Sequence, residues 1–203
     1  MRKRVVLAGV LAALYATPAL AADPEPYLGG SAGAAFFHDN DIGVTEPGVL
    51  AKSTARYQTG YALAVCGGFL FDFFRLEGEF GYTHANVDNI SGPAGSIQIS
   101  GADATVMSYM GNAYYDFRNS TRLTPFVGAG IGLLHGTLSE PGTDYTSNVF
   151  GYQGMAGLSI GATSRVDLDL YYRYQGSASD FSNKGISFSY QSSTVLAGLR
   201  YNF

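Results

Sequence analysis

The 203-residue sequence has a single cysteine, Cys66, so no internal disulfide can form. The thiol reads as a small strand residue, because a catalytic thiol would need a histidine beside it in space. Charge is scarce as well: Asp, Glu, Lys and Arg make up 14% of the chain, against about 25% in soluble domains. After residue 21 no apolar run reaches the roughly 18 residues of a membrane helix, which excludes helical spans. Basic residues are the rarer sign, 12 Lys and Arg against 16 Asp and Glu. That balance opposes nucleic-acid binding, which favours basic faces.

Three of the basic residues, Arg2, Lys3 and Arg4, precede the apolar run VVLAGVLAALYA, and residues 19–21 have the small-x-small form of a secretory cleavage site. The run is too short for the about 20 residues a membrane helix needs. Residues 1–21 therefore read as a cleaved signal peptide and 22–203 as the mature domain. Cleavage leaves nine basic residues against 16 acidic ones, a net charge of −7.

What the mature chain does have is glycine (27), tyrosine (15) and phenylalanine (13), spread along the sequence with a period of two. In FRLEGEFGYT, Phe74, Leu76, Gly78, Phe80 and Tyr82 fall on one face, and Arg75, Glu77, Glu79, Gly81 and Thr83 on the other. VDLDLYYRYQ repeats the pattern with Val166, Leu168, Leu170, Tyr172 and Tyr174 opposed to Asp167, Asp169, Tyr171, Arg173 and Gln175. Such strands fit a soluble sandwich or a membrane barrel, and only the full set chooses. The pattern predicts eight strands, at 27–37, 57–71, 74–87, 104–117, 124–138, 149–162, 165–175 and 186–203. Their connections alternate strictly between long and short, as in outer-membrane barrels with short inner turns and long outer loops. The strands also exceed the about 5–6 residues usual in soluble sheets and reach the about 9–11 that cross a bilayer. Closure satisfies every backbone donor and acceptor, which lipid demands. The expected fold is an all-β, eight-stranded antiparallel up-and-down transmembrane β-barrel.

In PFVGAGIGLL the glycines Gly128, Gly130 and Gly132 recur every second residue, unlike a dinucleotide loop with its G-x-G-x-x-G spacing. They suit one wall of a crowded interior, since eight-stranded barrels are narrow enough to be filled by side chains. Four segments, TPFVGAGIG (124–132), NAYYDF (112–117), YYRY (171–174) and the closing LAGLRYNF, resemble the small bacterial outer-membrane barrels of the opacity-protein and surface-antigen kind. These are relatives of the OmpA and OmpX barrels and of the porin family. The resemblance implies outer-membrane residence among lipid and lipopolysaccharide. It also implies that Leu199, Tyr201 and Phe203 form a C-terminal signal for the barrel-insertion machinery. Spacing alone puts Val195, Ala197, Leu199, Tyr201 and Phe203 in a lipid-facing row. Ile186, Phe188 and Tyr190 have the opposite parity, which predicts a β-bulge near Ser192 and Ser193 or a hairpin extension above the membrane.

The inward parity carries Arg75, Glu77, Glu79, Asp116, Asp167, Asp169, Arg173 and Arg200. Unpaired charges in a tight interior are costly, so these predict a bonded network in which Arg173 and Arg200 face Asp167, Asp169, Glu77 or Glu79. Such a network can be a structural plug or a narrow gate for ions or small solutes; a wide pore needs about 16 strands. Barrels of this size also include lipid A-modifying enzymes. Here His135-Gly136-Thr137 with Glu140 stands nearest to the His-x-Ser pair of a deacylase, but threonine replaces serine, and His38 and His84 lack such company. The reading is therefore non-enzymatic, with no catalytic residue, cofactor or metal assigned. The outer loops carry Asp39, Asp41, Glu46, Asp88, Asp103, Glu140, Asp144 and Asp180 against Lys52, Arg56 and Lys184. HDND could hold a divalent cation, though without an EF-hand pattern. Exposed loops on a rigid barrel suit a surface antigen, an envelope structural protein or an adhesin with an unnamed host ligand. No peptidoglycan-binding domain is expected after Phe203.

Overall fold

The computed structural model describes residues 23–38, 40–46, 49–92, 95–98, 103–140, 143–179, 181–183, 186–188 and 190–203. The signal-peptide reading of residues 1–21, Asp39, Asp180 and Lys184 lie outside the described residues, as do the side chains of the remaining loop charges except Asp103. Thirteen strands follow one another: β1 (Glu25–Phe37), β2 (Asn40–Glu46), β3 (Val49–Tyr57), β4 (Gly60–Phe71), β5 (Phe74–Gly92), β6 (Gly95–Gln98), β7 (Asp103–Asp116), β8 (Leu123–Glu140), β9 (Thr143–Gly161), β10 (Val166–Ser177), β11 (Phe181–Asn183), β12 (Ile186–Phe188) and β13 (Gln191–Asn202).

Eight of them close a barrel. β1 pairs with β4, β4 with β5, β5 with β7, and the series continues through β8, β9 and β10 to β13. β13 returns to β1 along an antiparallel ladder from Tyr27↔Asn202 to Phe37↔Ser192. Every barrel neighbour is the next barrel strand in the chain, an up-and-down meander without an edge. The five short strands belong to a second sheet at one end, ordered β11-β12-β2-β3-β5 with β6 on the far side of β5. The long strands β5 and β9, 19 residues each, reach beyond the barrel into this region.

The other end is trimmed by tight turns whose side chains hold them. Asp72 takes φ 49° between β4 and β5. Asn119 Nδ2 donates to Leu123 O at 2.9 Å, while Asn119 Oδ1 accepts from Thr121 N at 2.8 Å. Thr163 Oγ1 accepts from Val166 N at 3.0 Å.

The expected bulge at Ser192 and Ser193 is absent. The ladders of β13 with β1 and β10 run without a register shift through both serines. Tyr190 is buried on the same lumenal parity as Thr194, Leu196 and Arg200, so the parity opposite to the lipid-facing row holds there and the aromatic plugs the interior. The other expectation, a hairpin extension, is what the chain forms: β12 leaves the barrel to pair with β11 and β2.

Outward side chains form the oily band. Ile131 is 71% exposed and Phe150 70%, values a water-soluble sheet would not tolerate row after row. Aromatic pairs ring both borders: Tyr115–Phe117 at 4.9 Å and Tyr201–Phe203 at 5.2 Å by the tight turns, Tyr61–Tyr82 at 6.1 Å and Tyr152–Tyr174 at 6.4 Å toward the long-loop end.

Candidate functional site: the filled lumen

Strand alternation sends every second residue inward, and the narrow interior brings side chains from opposite walls together. Nearest the tight turns, Arg75 of β5 meets Asp116 of β7, with Nη2 2.9 Å and Nε 3.1 Å from Oδ1. Its guanidinium lies over the rings of Tyr114 (4.5 Å) and Phe126 (4.9 Å). A Cβ at Gly128 would strike the Tyr114 ring, so the small wall of β8 makes room for the large residues of β7.

One layer up, Glu77 accepts hydrogen bonds from Tyr27 OH (3.1 Å), Tyr114 OH (3.0 Å) and Asn112 Nδ2 (3.1 Å). Among the described residues no arginine stands within ion-pair distance of it. Glu79 is held by Arg173 Nη1 at 3.0 Å and by Gln153 Nε2 at 3.2 Å. Gln153 also donates to Asn112 Oδ1 at 2.8 Å and accepts from Gln175 Nε2 at 2.8 Å. Arg173, 1% exposed, donates from Nε to Thr194 Oγ1 at 3.2 Å. On the β10–β13 wall, Arg200 Nη2 lies 3.1 Å from Asp167 Oδ2, 3.6 Å from Asp169 Oδ1 and 2.9 Å from Ser159 Oγ. Asp169 Oδ1 and Arg200 Nε and Nη1 have no hydrogen-bond partner in the protein. A cavity of about 30 Å³ adjoins them, room for about one or two waters and far too small for a solute.

Toward the long-loop end the chemistry changes. Val106, Met110, Leu134, Val149 and Tyr190 form a buried apolar cluster against Phe37. Tyr190 OH joins the two layers by donating to Gln175 Oε1 at 3.2 Å and bonding Ser192 Oγ at 2.7 Å.

All eight charged residues picked by parity thus point into one lumen, though in three clusters: Arg75–Asp116, Arg173–Glu79 and Arg200–Asp167–Asp169, with Glu77 served by neutral donors. Sequence reasoning missed the uncharged half of the network, Tyr27, Asn112, Tyr114, Gln153, Gln175 and Tyr190. Parity was the signal: in NAYYDF, Asn112 and Tyr114 share the face of Asp116. Leu199, Tyr201 and Phe203 are outward and exposed, by 57%, 41% and 66%.

The rim histidines all have partners. His135 Nδ1 bonds Asn148 Oδ1 at 2.6 Å, and His84 Nδ1 bonds Thr105 Oγ1 at 3.1 Å. His38 is not isolated: its Nε2 lies 2.8 Å from Ser193 Oγ, which also bonds Tyr172 OH at 2.6 Å. Ser193 sits inside ladders with both neighbours, opposite Phe36 and Tyr174, so the sheet uses the surrounding amides. An oxyanion needs free donors, and a ladder offers none.

Known proteins share this architecture. Neisserial surface protein A aligns with a TM-score of 0.60 and 22% identity over 88% of this chain and 97% of that one. OprG from Pseudomonas aeruginosa gives a TM-score of 0.59 and 13% identity over 90% and 98%. In sequence, the outer membrane protein PagN of Salmonella typhimurium is 36% identical over 77 residues, 33% of this chain, and the match spans about a third (32%) of PagN's own length. Residues 6–203 match the family described as outer membrane protein beta-barrel domain. With the closed eight-stranded barrel and its oily band, that match makes this chain a member of the outer-membrane β-barrel domain family, resident in the bacterial outer membrane.

Proposed function

We propose that this barrel is a closed, non-enzymatic support that displays its outer strands and loops as a surface antigen and envelope structural element, with adhesion as the activity of the displayed part. The observation that carries this reading is the side-chain-filled lumen beneath an enlarged outer sheet. The apolar cluster of Val106, Met110, Leu134, Val149 and Tyr190 packs the lumen toward the long-loop end, which supports a closed interior. Above it the chain invests five further strands in structure that the membrane does not need. The ion pairs beneath support the role of a structural plug, because each arginine is already engaged by carboxylates.

Partners follow from position: lipid and lipopolysaccharide around the band, the insertion machinery at Leu199, Tyr201 and Phe203, and another surface at the outer sheet. Replacing residues 40–57 by a short turn tests the display role. Bacteria carrying the shortened protein should keep the heat-modifiable barrel on gels and lose adherence to host cells. Undiminished adherence would remove the adhesive part of the reading. Planar-bilayer recordings should show no conductance, and steps sensitive to Arg173→Ala would replace the plug by a gate.

A further inference from the structure

Glycine inside a strand costs about 0.5–1 kcal/mol relative to alanine, and it often marks a close approach by another group. Most lumenal glycines are explained within the chain, as Gly128 is by Tyr114. Several lipid-facing ones are not, Gly30 and Gly154 among them, and three of these stand side by side. Gly67, Gly78 and Gly111 are cross-strand partners in one row over β4, β5 and β7. A Cβ at Gly78 or Gly111 would find its nearest neighbour 3.9 or 3.8 Å away, an ordinary contact, and one at Gly67 would meet only the flexible tip of Leu28 at 3.0 Å. Nothing inside the protein requires these three residues to be small.

The row is the floor of an apolar groove of about 950 Å³ in the outer wall, bounded by Leu28, Phe69, Leu76, Ile131 and Phe203. At the foot of the same strands stand Phe73, Tyr115 and Phe117, with ring centroids 5.3 and 4.9 Å apart in sequence. Beyond them the exposed Arg118 lies 3.8 Å from the exposed Asp72, and Arg122 is exposed on the same periplasmic turn. From Gly111 to Phe117 the strand runs about 20 Å, which at a tilt near 45° is roughly half of the about 30 Å hydrocarbon core. That is the depth of one leaflet.

We propose that this groove binds one phospholipid of the periplasmic leaflet, preferring an anionic headgroup. The acyl chains lie on the glycine floor, the glycerol region meets the aromatic patch, and the phosphate meets Arg118 and Arg122, whose guanidinium forks match phosphate oxygens. The solvated contact to Asp72 is weak enough to yield. A second copy of the chain could also pack on a smooth face, but a symmetric pair across this groove would set both arginine turns against their own copies.

The test is native mass spectrometry of the full-length protein extracted from outer membranes in mild detergent, with bound lipids identified. The wild type should retain one phospholipid per barrel. Gly78→Leu combined with Gly111→Leu should lose it while keeping heat-modifiable gel mobility, and Gly154→Leu, an open lipid-facing site on the opposite wall, should keep it. Arg118→Ala should lower the preference for anionic over zwitterionic phospholipid by about fivefold. Retention by the filled variant, equal loss from Gly154→Leu, or dissociation of a dimer in place of lipid loss would overturn the proposal.

Discussion

Toward the tight turns the lumen holds Glu77, Glu79, Asp116, Asp167 and Asp169 with Arg75, Arg173 and Arg200; toward the long-loop end it holds Val106, Met110, Leu134, Val149 and Tyr190. Both halves fill a space that an eight-stranded barrel leaves just wide enough for side chains, yet they fill it by different physics. The polar half depends on complementary partners, because each ion was taken out of water and must be repaid by geometry. The apolar half depends on volume alone. A defect in the first should therefore be rescued by removing a partner, and a defect in the second only by restoring size.

The Arg173–Glu79 pair is the sharpest place to break that comparison. Both side chains are almost wholly buried at 3.0 Å, so Arg173→Ala leaves a buried carboxylate with Gln153 as its donor and no cation and should destabilise the barrel by about 3–5 kcal/mol. Urea unfolding in lipid vesicles reads the change. Arg173→Met with Glu79→Gln should recover most of it, and a double variant as unstable as the single one would place the effect in packing instead. In the apolar half, Leu134→Ala should cost about 2–3 kcal/mol, the lower part of the usual range because the site lies near the loop end. There Leu134 occupies the room left by Gly151, so Gly151→Ala in the Leu134→Ala background should return part of the loss.

The barrel was legible in the sequence because the apolar-polar alternation recurs in eight strands and long and short connections alternate across the seven links between them, so no single ambiguous segment decides the outcome. The eight lumenal charges were legible for the same reason: they fall on the polar side of the apolar-polar dyad. Parity set Tyr190 opposite the lipid-facing row but left a bulge and a hairpin extension both open, because an aromatic can sit on either wall, and the unbroken ladders through Ser192 and Ser193 decide between them. The uncharged bridges, Gln153 and Gln175 above all, carry no residue-type signal, since amides are as common on loops as in networks. The His38–Ser193 contact joins residues 155 positions apart, and it follows from the β1–β13 closure that places Phe36 opposite Ser193.

At the membrane borders smaller effects are expected. Asp72 adopts φ 49° in the β4–β5 turn, a conformation that favours glycine, and its ion pair with Arg118 is long and exposed at 3.8 Å. Asp72→Gly should raise stability by up to about 1 kcal/mol, the relief of the turn outweighing a solvated ion pair. A fall of that size would mean that the pair with Arg118 holds the turn.

The smallest effect should come from the rim serine. Ser193 Oγ contacts a histidine at the distance of a nucleophile and its base, but the ladders on both sides consume the amides that a tetrahedral intermediate would need. Its hydroxyl instead links His38 to Tyr172 along the outer aromatic border. Ser193→Ala should leave the mass spectrum of lipid A from expressing cells unchanged and shift stability by no more than about 1 kcal/mol, because the two hydrogen bonds lost go to the exposed partners His38 and Tyr172. Deacylated lipid A in wild-type cells that disappears with Ser193→Ala would turn this rim contact into a catalytic pair and overturn the non-enzymatic reading.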